Sequence, residues 1–274
     1  MPVVDPIAVT DLIVEAAAEE ALPRFRQLAD HEVERKASGE LVTVADHAVE
    51  ARLTRRLSEL LPGSLVVGEE AVEADPRVLT RFDSDAYVWI IDPIDGTGNF
   101  AQGRAVFAVM VALVRGRELL AGWIHDPIAG ITALAESGSG AALRDNDGRQ
   151  SPLRVLPPAP LGEMSGALNA GTFGSKELAR TLERNRKRLS TLKGLHCAGQ
   201  DYLRLVRGEM HFLLFSKTKP WDHVPGLVIH REAGGFGQLL EGRPYEPTDI
   251  ASFGILMAPD RETWQALKER LLAE

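Results

Sequence analysis

The chain has 274 residues, 45% of them hydrophobic, and a formal net charge of −8. That length allows a sizeable core in one large domain or two intimately packed ones, and the acidic balance argues against general nucleic-acid binding, which rests on basic surface. The single cysteine, Cys197, excludes an internal disulfide and fits a reducing compartment. The N-terminal MPVVDPIAVTDL lacks a basic region followed by an apolar core, and no stretch reaches the length of a membrane span, so a cytoplasmic location is expected.

Residues 7–30 have helical periodicity, with Glu15, Glu19 and Glu20 among alanine and leucine. The charged segment 31–40, HEVERKASGE, contains Gly39 and reads as a mobile connection. Residues 43–61 form an amphipathic helix; Thr43 followed three positions later by Asp46 is the pattern of a capping box, in which Asp46 is simply a helix-end acid. A short apolar strand, LVVG at 65–68, ends in Glu69 and Glu70, either of which could instead open a solvated helix, EEAVEADPRVL. A second apolar strand begins at Tyr87 and ends at Asp92. Strand candidates at 105–114, 119–124 and 131–135 follow, with GSG at 138–140 reading as a hairpin turn. The polar stretch 144–160 marks a boundary between halves 1–145 and 146–274. Beyond it come a strand near 164–168, a charged helix over 175–192, a helix near 199–207, a strand near 211–215, a helix-like segment stopping at Gly234 and Gly235, and a final helix from Asp260. The alternation predicts an α/β chain with no internal repeat.

The stretch 89–100, WIIDPIDGTGNF, delivers Asp92 and Asp95 at the end of an apolar strand, where ligands usually bind in α/β folds. Pro93 fixes the backbone φ between the two acids, and Gly96, Thr97 and Gly98 expose amides suited to an anion. If Glu69, Asp92, Asp95 and Asp222 converge, like-charge repulsion prevents all four from ionising together. A divalent cation removes that conflict, and an all-oxygen donor set selects Mg²⁺, with Mn²⁺ as a substitute, over zinc. Taken singly, Asp222 could be only an N-cap and DPIDG only an Asx turn.

With Lys36, LVTVAD ending at Asp46, GEE at 68–70, DPIDGTGNF at 92–100, and WDHVPG with EAGG at 221–235, the chain resembles the inositol monophosphatase family of Mg²⁺-dependent, lithium-sensitive phosphatases over nearly its whole length. The resemblance implies layered sheets and helices with an active-site cleft between two packed halves, and a homodimer. It implies two or three Mg²⁺ ions on Glu69, Asp92, the Ile94 carbonyl, Asp95 and Asp222, with phosphate on the amides of Gly96 and Thr97. The expected reaction is hydrolysis of a small phosphate monoester by metal-activated water. Glu69 would help to hold that water, and Thr97 with Asp46 would orient or deprotonate it. Lys36 is a contact for a third ion or the phosphate, and Asp95, Ala198, Phe215 and Asp222 face the rest of the substrate.

Three positions depart from the family pattern. Gly98 stands where a second threonine is usual, and Pro225 stands where alanine is usual, a proline acceptable in a first helical turn. Phe215, seven residues before Asp222, replaces a glutamate that contacts ring hydroxyls in inositol-selective members. Activities on histidinol phosphate, fructose bisphosphate or 3′-phosphoadenosine phosphate therefore stay open beside inositol phosphate. A reading of another class, binding to RNA or a transcription complex, is opposed by the intact carboxylate set and the acidic charge. His125, His196, His211, His223 and His230 lie in no zinc-ligand spacing. The basic run Arg180, Arg184, Arg186, Lys187 and Arg188 lacks interleaved aromatics and reads as a solvated helix face.

Overall fold

The structure is a computed structural model that describes residues 3–168, 175–250 and 254–273. Met1 and Pro2 of the N-terminal segment, and the Arg188 side chain, lie outside the described residues. The first helix, α1 (Pro6–Ala16), starts where the Asp5 carboxylate accepts the Ile7 N–H, with Pro6 in the first position. One wider turn, Ala17–Ala21, closes as Leu22 N–H reaches back to the Ala17 carbonyl. The helical pattern expected through residue 30 breaks here, because Pro23 has no N–H with which to continue the ladder.

Segment 31–40, expected as a mobile connection, builds most of a hairpin instead. Strand β1 (Val33–Arg35) pairs antiparallel with β2 (Leu41–Thr43). The Lys36 N–H bonds the Glu40 carbonyl across the turn, and Gly39 supplies its positive φ. Helix α2 (Val44–Leu60) follows directly, capped by Thr43.

Seven strands then form one sheet in chain order: β3 (Leu65–Gly68), β4 (Tyr87–Asp95), β5 (Ala108–Arg115), β6 (Glu118–Asp126), β7 (Ile131–Glu136), β8 (Ala141–Asp145) and β9 (Gln150–Pro152). Only β3 and β4 are parallel. Gly138 and Gly140 lie in the turn between β7 and β8, as their spacing predicts. Between β3 and β4, α3 (Glu69–Ala74) stops before Pro76, so EEAVEADPRVL is not one helix. Strand β9 carries the sheet beyond residue 146.

The second sheet has the order β11-β10-β12-β14-β13, built from β10 (Ser165–Leu168), β11 (Ser190–Leu192), β12 (Phe212–Phe215), β13 (Phe236–Leu239) and β14 (Ile255–Ala258). The helix expected over 175–192 is shorter: α5 (Lys176–Asn185) ends where Asn185 turns its amide onto the Leu271 and Ala273 carbonyls, and β11 follows. Of its basic run, Arg184 also bonds the Ala273 carbonyl and Arg186 pairs with Glu183.

Strand alternation sets the layers. Val66, Trp89 and Ile91 face α1 and α2, packing with Val9, Ile13, Val49 and Leu53. Their neighbours Val67, Val88 and Ile90 face the opposite way, onto α6 (Ala198–Val206) and α7 (Pro220–Glu232). Leu213 and Met257 of the second sheet reach the same central layer, while Leu214 and Leu256 face α5 and α8 (Arg261–Leu272). Helix, sheet, helix, sheet, helix is the result, the layered α/β class expected. Among the described residues no helix is long and apolar enough to cross a membrane.

Helix α7 is the spine of the central layer. Pro225, expected in a first helical turn, lies inside the helix in its second turn. There α7 approaches β6 so closely that a Cβ on Gly122 would sit 2.5 Å from the Pro225 carbonyl oxygen. The helix also buries His230, whose two ring nitrogens have no hydrogen-bond partner. Burial pushes the His230 pKa down to about 3, and burial pushes His125 down to about 4 against its bond with the Ile131 carbonyl. Both are neutral in the fold, whereas the unfolded chain takes up their protons below pH ~6.5. Their stabilisation is complete above that pH and is lost as pH falls through the folded values. The unfolding free energy of His230→Leu, measured in urea at pH 7 and 4.5, should gain on that of the parent as pH falls; a pH-independent difference would contradict a neutral buried His230.

Candidate active site

Strand β4 does not end at Asp92 as its apolar run suggests. It runs to Asp95, with its register against β5 shifted between Asp92, opposite Met110, and Asp95, opposite Ala108. Pro93 sits in that irregularity, where a missing N–H disturbs the ladder least. Gly96 then turns the chain at φ 87 into α4 (Thr97–Ala101); a Cβ there would meet the Val106 carbonyl and the Cys197 side chain.

Glu69 is placed from two sides. It opens α3, and the buried Glu50 of α2 accepts the N–H groups of Glu70 and Ala71 at 2.8 Å each. Gly68 leaves room for that carboxylate, which a Cβ would overlap. Asp222 lies in the first turn of α7, whose N-cap is Lys219, so it is not itself a cap. Ligand oxygens of Glu69, Asp92 and Asp222 all fall within 4.8 Å of one another. A cavity of about 270 Å³ opens onto them and onto Asp95, the Ile94 backbone and the Gly96-Thr97 turn.

The cations near these acids stand at one edge, Lys36 and Lys219 beside Glu69. Burial, and then the charges of Glu69 and Asp95, push the Asp92 and Asp222 carboxyls well above the usual carboxylate range. Asp92 Oδ1 is buried with no hydrogen-bond partner. Burial also raises Asp95, but its Oδ2 accepts the Cys197 thiol at 3.0 Å and the Gly199 N–H, which draw it back. An orphaned carboxylate oxygen within an all-oxygen set fits a hard divalent cation, with none of the nitrogen or sulfur that zinc favours.

Asp46 uses its two oxygens for two different sets of contacts. Oδ2 accepts the Thr43 N–H at 2.8 Å and the Thr43 hydroxyl at 2.6 Å, completing the capping box. Oδ1 lies 3.0 Å from Thr97 Oγ1, which is also 2.9 Å from the Ile94 carbonyl. Burial pushes the Asp46 carboxyl up to about 7 against the lowering bonds from Thr43, and the Glu70 charge adds to the rise.

Lys36 is buried, with Nζ 3.0 Å from Glu69 Oε1 and 2.8 Å from Glu70 Oε1. Burial alone would lower its pKa; the two glutamates outweigh that and hold it above its ordinary value. Glu70, read as a solvated helix start, is therefore a buried member of an ion pair. Ala198 and Phe215 line a second cavity of about 590 Å³ that shares Asp95 and Asp222 with the first. Phe215 is fixed there, its ring 5.4 Å from Tyr202 and 4.9 Å from His223. His223 is buried between the Tyr202 hydroxyl and the Lys217 carbonyl and borders the same cavity.

Glu50, Cys197 and Lys219 escaped the sequence reading. Glu50 had a signal, since it shares the buried face of α2 with Asp46, Val49 and Leu53. Lys219, 3.6 Å from Glu69 and 2.6 Å from Glu40, is joined to the cluster only by the fold. If the cluster is a cation site, Mg²⁺ should raise the thermal midpoint of the protein. Asp92→Asn should erase that rise while making the metal-free protein more stable, because it removes a buried, unpaired charge. A lower metal-free midpoint for the variant, or an undiminished response to Mg²⁺, would contradict the assignment.

A family model described as the inositol monophosphatase family matches residues 4–274. An inositol-1-monophosphatase of Mesorhizobium japonicum is 31% identical over 240 residues, covering 86% of either chain. A Thermotoga maritima protein named fructose-1,6-bisphosphatase/inositol-1-monophosphatase is 30% identical over 204 residues, covering 74% of this chain and 73% of its own. In three dimensions the chain is similar to the extragenic suppressor protein suhB of Bartonella henselae, with a TM-score of 0.78 and 26% identity over 97% of this chain and 99% of the other. With the layered fold and the clustered carboxylates, these likenesses settle the class: the chain belongs to the inositol monophosphatase family and is a phosphatase of that family.

Proposed function

We propose that the chain hydrolyses a small phosphate monoester, with two or three Mg²⁺ ions, in a cleft between halves 1–145 and 146–274. The observation that carries this reading is the convergence of Glu69, Asp92 and Asp222 within 4.8 Å, with Asp92 Oδ1 left unpartnered. Glu69, Asp92, the Ile94 carbonyl, Asp95 and Asp222 would hold the ions. Bound there, Mg²⁺ or Mn²⁺ would offset phosphate charge and acidify a neighbouring water.

The chain's own groups supply orientation and a proton path. Thr97 Oγ1 takes a proton from the attacking water as it releases its own to Asp46 Oδ1, 3.0 Å away. The Gly96 and Thr97 amides fix the phosphate. Lys36 holds Glu69 in place and contacts a third ion or the phosphate. Asp95, Ala198, Phe215 and Asp222 face the alcohol portion. A homodimer and lithium inhibition rest on the family resemblance, and cytoplasmic residence on the N-terminal pattern and the lack of a span-length apolar stretch. Chelation should abolish phosphate release and Mg²⁺ restore it; full turnover in excess chelator would sink the proposal.

Asp46 separates capping from chemistry, because each role uses a different oxygen. Loss of a cap costs about 0.5–2 kcal/mol, whereas loss of proton transfer lowers turnover about 10²–10⁴-fold. Asp46→Asn is expected to show both, Thr97→Ala to show a similar fall in turnover, and the double variant to fall little further. Near-normal turnover in Asp46→Asn with a lowered melting temperature would leave Asp46 a capping residue alone.

Phe215 bears on substrate range. An apolar wall discriminates by only about 1–3 kcal/mol per methylene-sized difference, whereas a polar partner rejects analogues lacking its hydroxyl strongly. Activity should therefore spread over several sugar and alcohol phosphates, fructose bisphosphate, histidinol phosphate and 3′-phosphoadenosine phosphate among the candidates. The double name of the Thermotoga maritima relative supports that breadth. Catalytic efficiencies across such a panel decide the matter, and exclusive preference for inositol 1-phosphate would refute it.

A further inference from the structure

Among the described residues only two non-glycine positions have a positive φ, Arg26 at 62 and His196 at 55. Such backbone disfavours any residue with a Cβ, although histidine tolerates it better than most. Arg26 has evident compensation: its Nε donates to the Gly103 carbonyl at 2.9 Å, and its guanidinium lies 5.0 Å from the centre of the Phe25 ring. The His196 ring has none, being exposed and without a hydrogen bond among the described residues.

Its backbone is held from outside. Asn99 Nδ2 donates to the Leu195 carbonyl at 3.0 Å and lies 3.4 Å from the His196 carbonyl, the Leu195 N–H reaches Asp201 Oδ2 at 3.1 Å, and the Cys197 thiol reaches Asp95. Glycine would satisfy every one of these bonds without strain. The ring therefore has to be explained by where it stands. His196 lines both the cavity over the carboxylates and the cavity walled by Phe215. On the phosphatase reading above, that is where the phosphate half and the alcohol half of a bound ester would meet. Backbone strain maintained by its surroundings at such a junction points to a ligand contact.

We propose that His196 is a specificity-determining residue, its ring hydrogen-bonding a hydroxyl that neighbours the phosphoester. The favoured substrate class is then a polyol or sugar phosphate, with Phe215 supplying the apolar wall and His196 the polar contact. This rests on the phosphatase reading above.

The test compares the parent with His196→Gly and His196→Asn on glycerol 2-phosphate, which carries neighbouring hydroxyls, and phenyl phosphate, which carries none. Loss of one neutral hydrogen bond predicts that His196→Gly lowers kcat/KM for glycerol 2-phosphate about tenfold relative to phenyl phosphate. Inhibition by inorganic phosphate should not change, since that ligand lacks the alcohol. His196→Asn, which tolerates the same backbone and keeps a side-chain donor, should recover part of the preference. The thermal midpoint of metal-free His196→Gly should hold, because relief of strain offsets the added freedom of the unfolded chain. An equal loss on both esters, weaker phosphate inhibition, or kinetics identical to the parent would each overturn the role of His196. A parent protein inactive on both esters would instead overturn the phosphatase reading.

Discussion

The structure is organised around mutual repulsion among carboxylates that the fold forces together. Two unit charges 4 Å apart interact by about 4 kcal/mol even at an effective dielectric of 20, and Glu69, Asp92 and Asp222 present oxygens within 4.8 Å. A fold gains nothing from such an arrangement by itself. Buried like charges raise one another's pKa, as the upward displacement of Asp92 and Asp222 records. The cluster is therefore stability given up locally, and the rest of the molecule is arranged to tolerate it.

The tolerance comes from paired cations and backbone donors placed one step away. Lys36 and Lys219 approach Glu69, while Glu40 ties Lys217 and Lys219 together at 2.6 Å each. Glu50 caps α3, so Glu69 does not have to act as its own helix cap. Asp95 is drawn aside by the Cys197 thiol and the Gly199 amide. None of these donors reaches Asp92 Oδ1, which stays orphaned. Cations and backbone donors thus gather at the edge of the cluster and none reaches Asp92 Oδ1 at its centre, where an added cation would be stabilised most.

How much of this was legible in the sequence depends on the range of each interaction. DPIDGT could be read because its chemistry is local: proline, glycine and two acids act on a single bend of β4. The capping role of Asp46 was legible for the same reason, since Thr43 is three residues away. Its bond to Thr97 spans 51 residues and was expected only through family resemblance. Glu50, Lys219 and Cys197 were missed because their partners lie 20, 150 and 102 residues away, counting from Glu69 to Lys219 for the second. Strands β13 and β14 escaped because β13 is punctuated by glycine and β14 is a short apolar run, indistinguishable by periodicity from buried helix. The helix expected through residue 30 failed at Pro23, a local breaker overruled by long apolar periodicity.

The two cavities differ in the way they are built. The carboxylate cavity hangs on β3, β4 and the first turn of α7, elements clamped between two hydrophobic layers, so a change there disturbs the core as well as the site. The second cavity draws on the end of β12 and the 192–198 segment, where the sheet edge and a strained turn meet. Phe215 is steadied by Tyr202 of α6 and by His223, which follows Asp222 in the first turn of α7. Its side chain lines the second cavity and not the first. Glu40, Asp95, His196 and Asp222 line both cavities and couple them. The two cavities are therefore distinct in lining but joined through the first turn of α7, whose Asp222 and His223 both line the second.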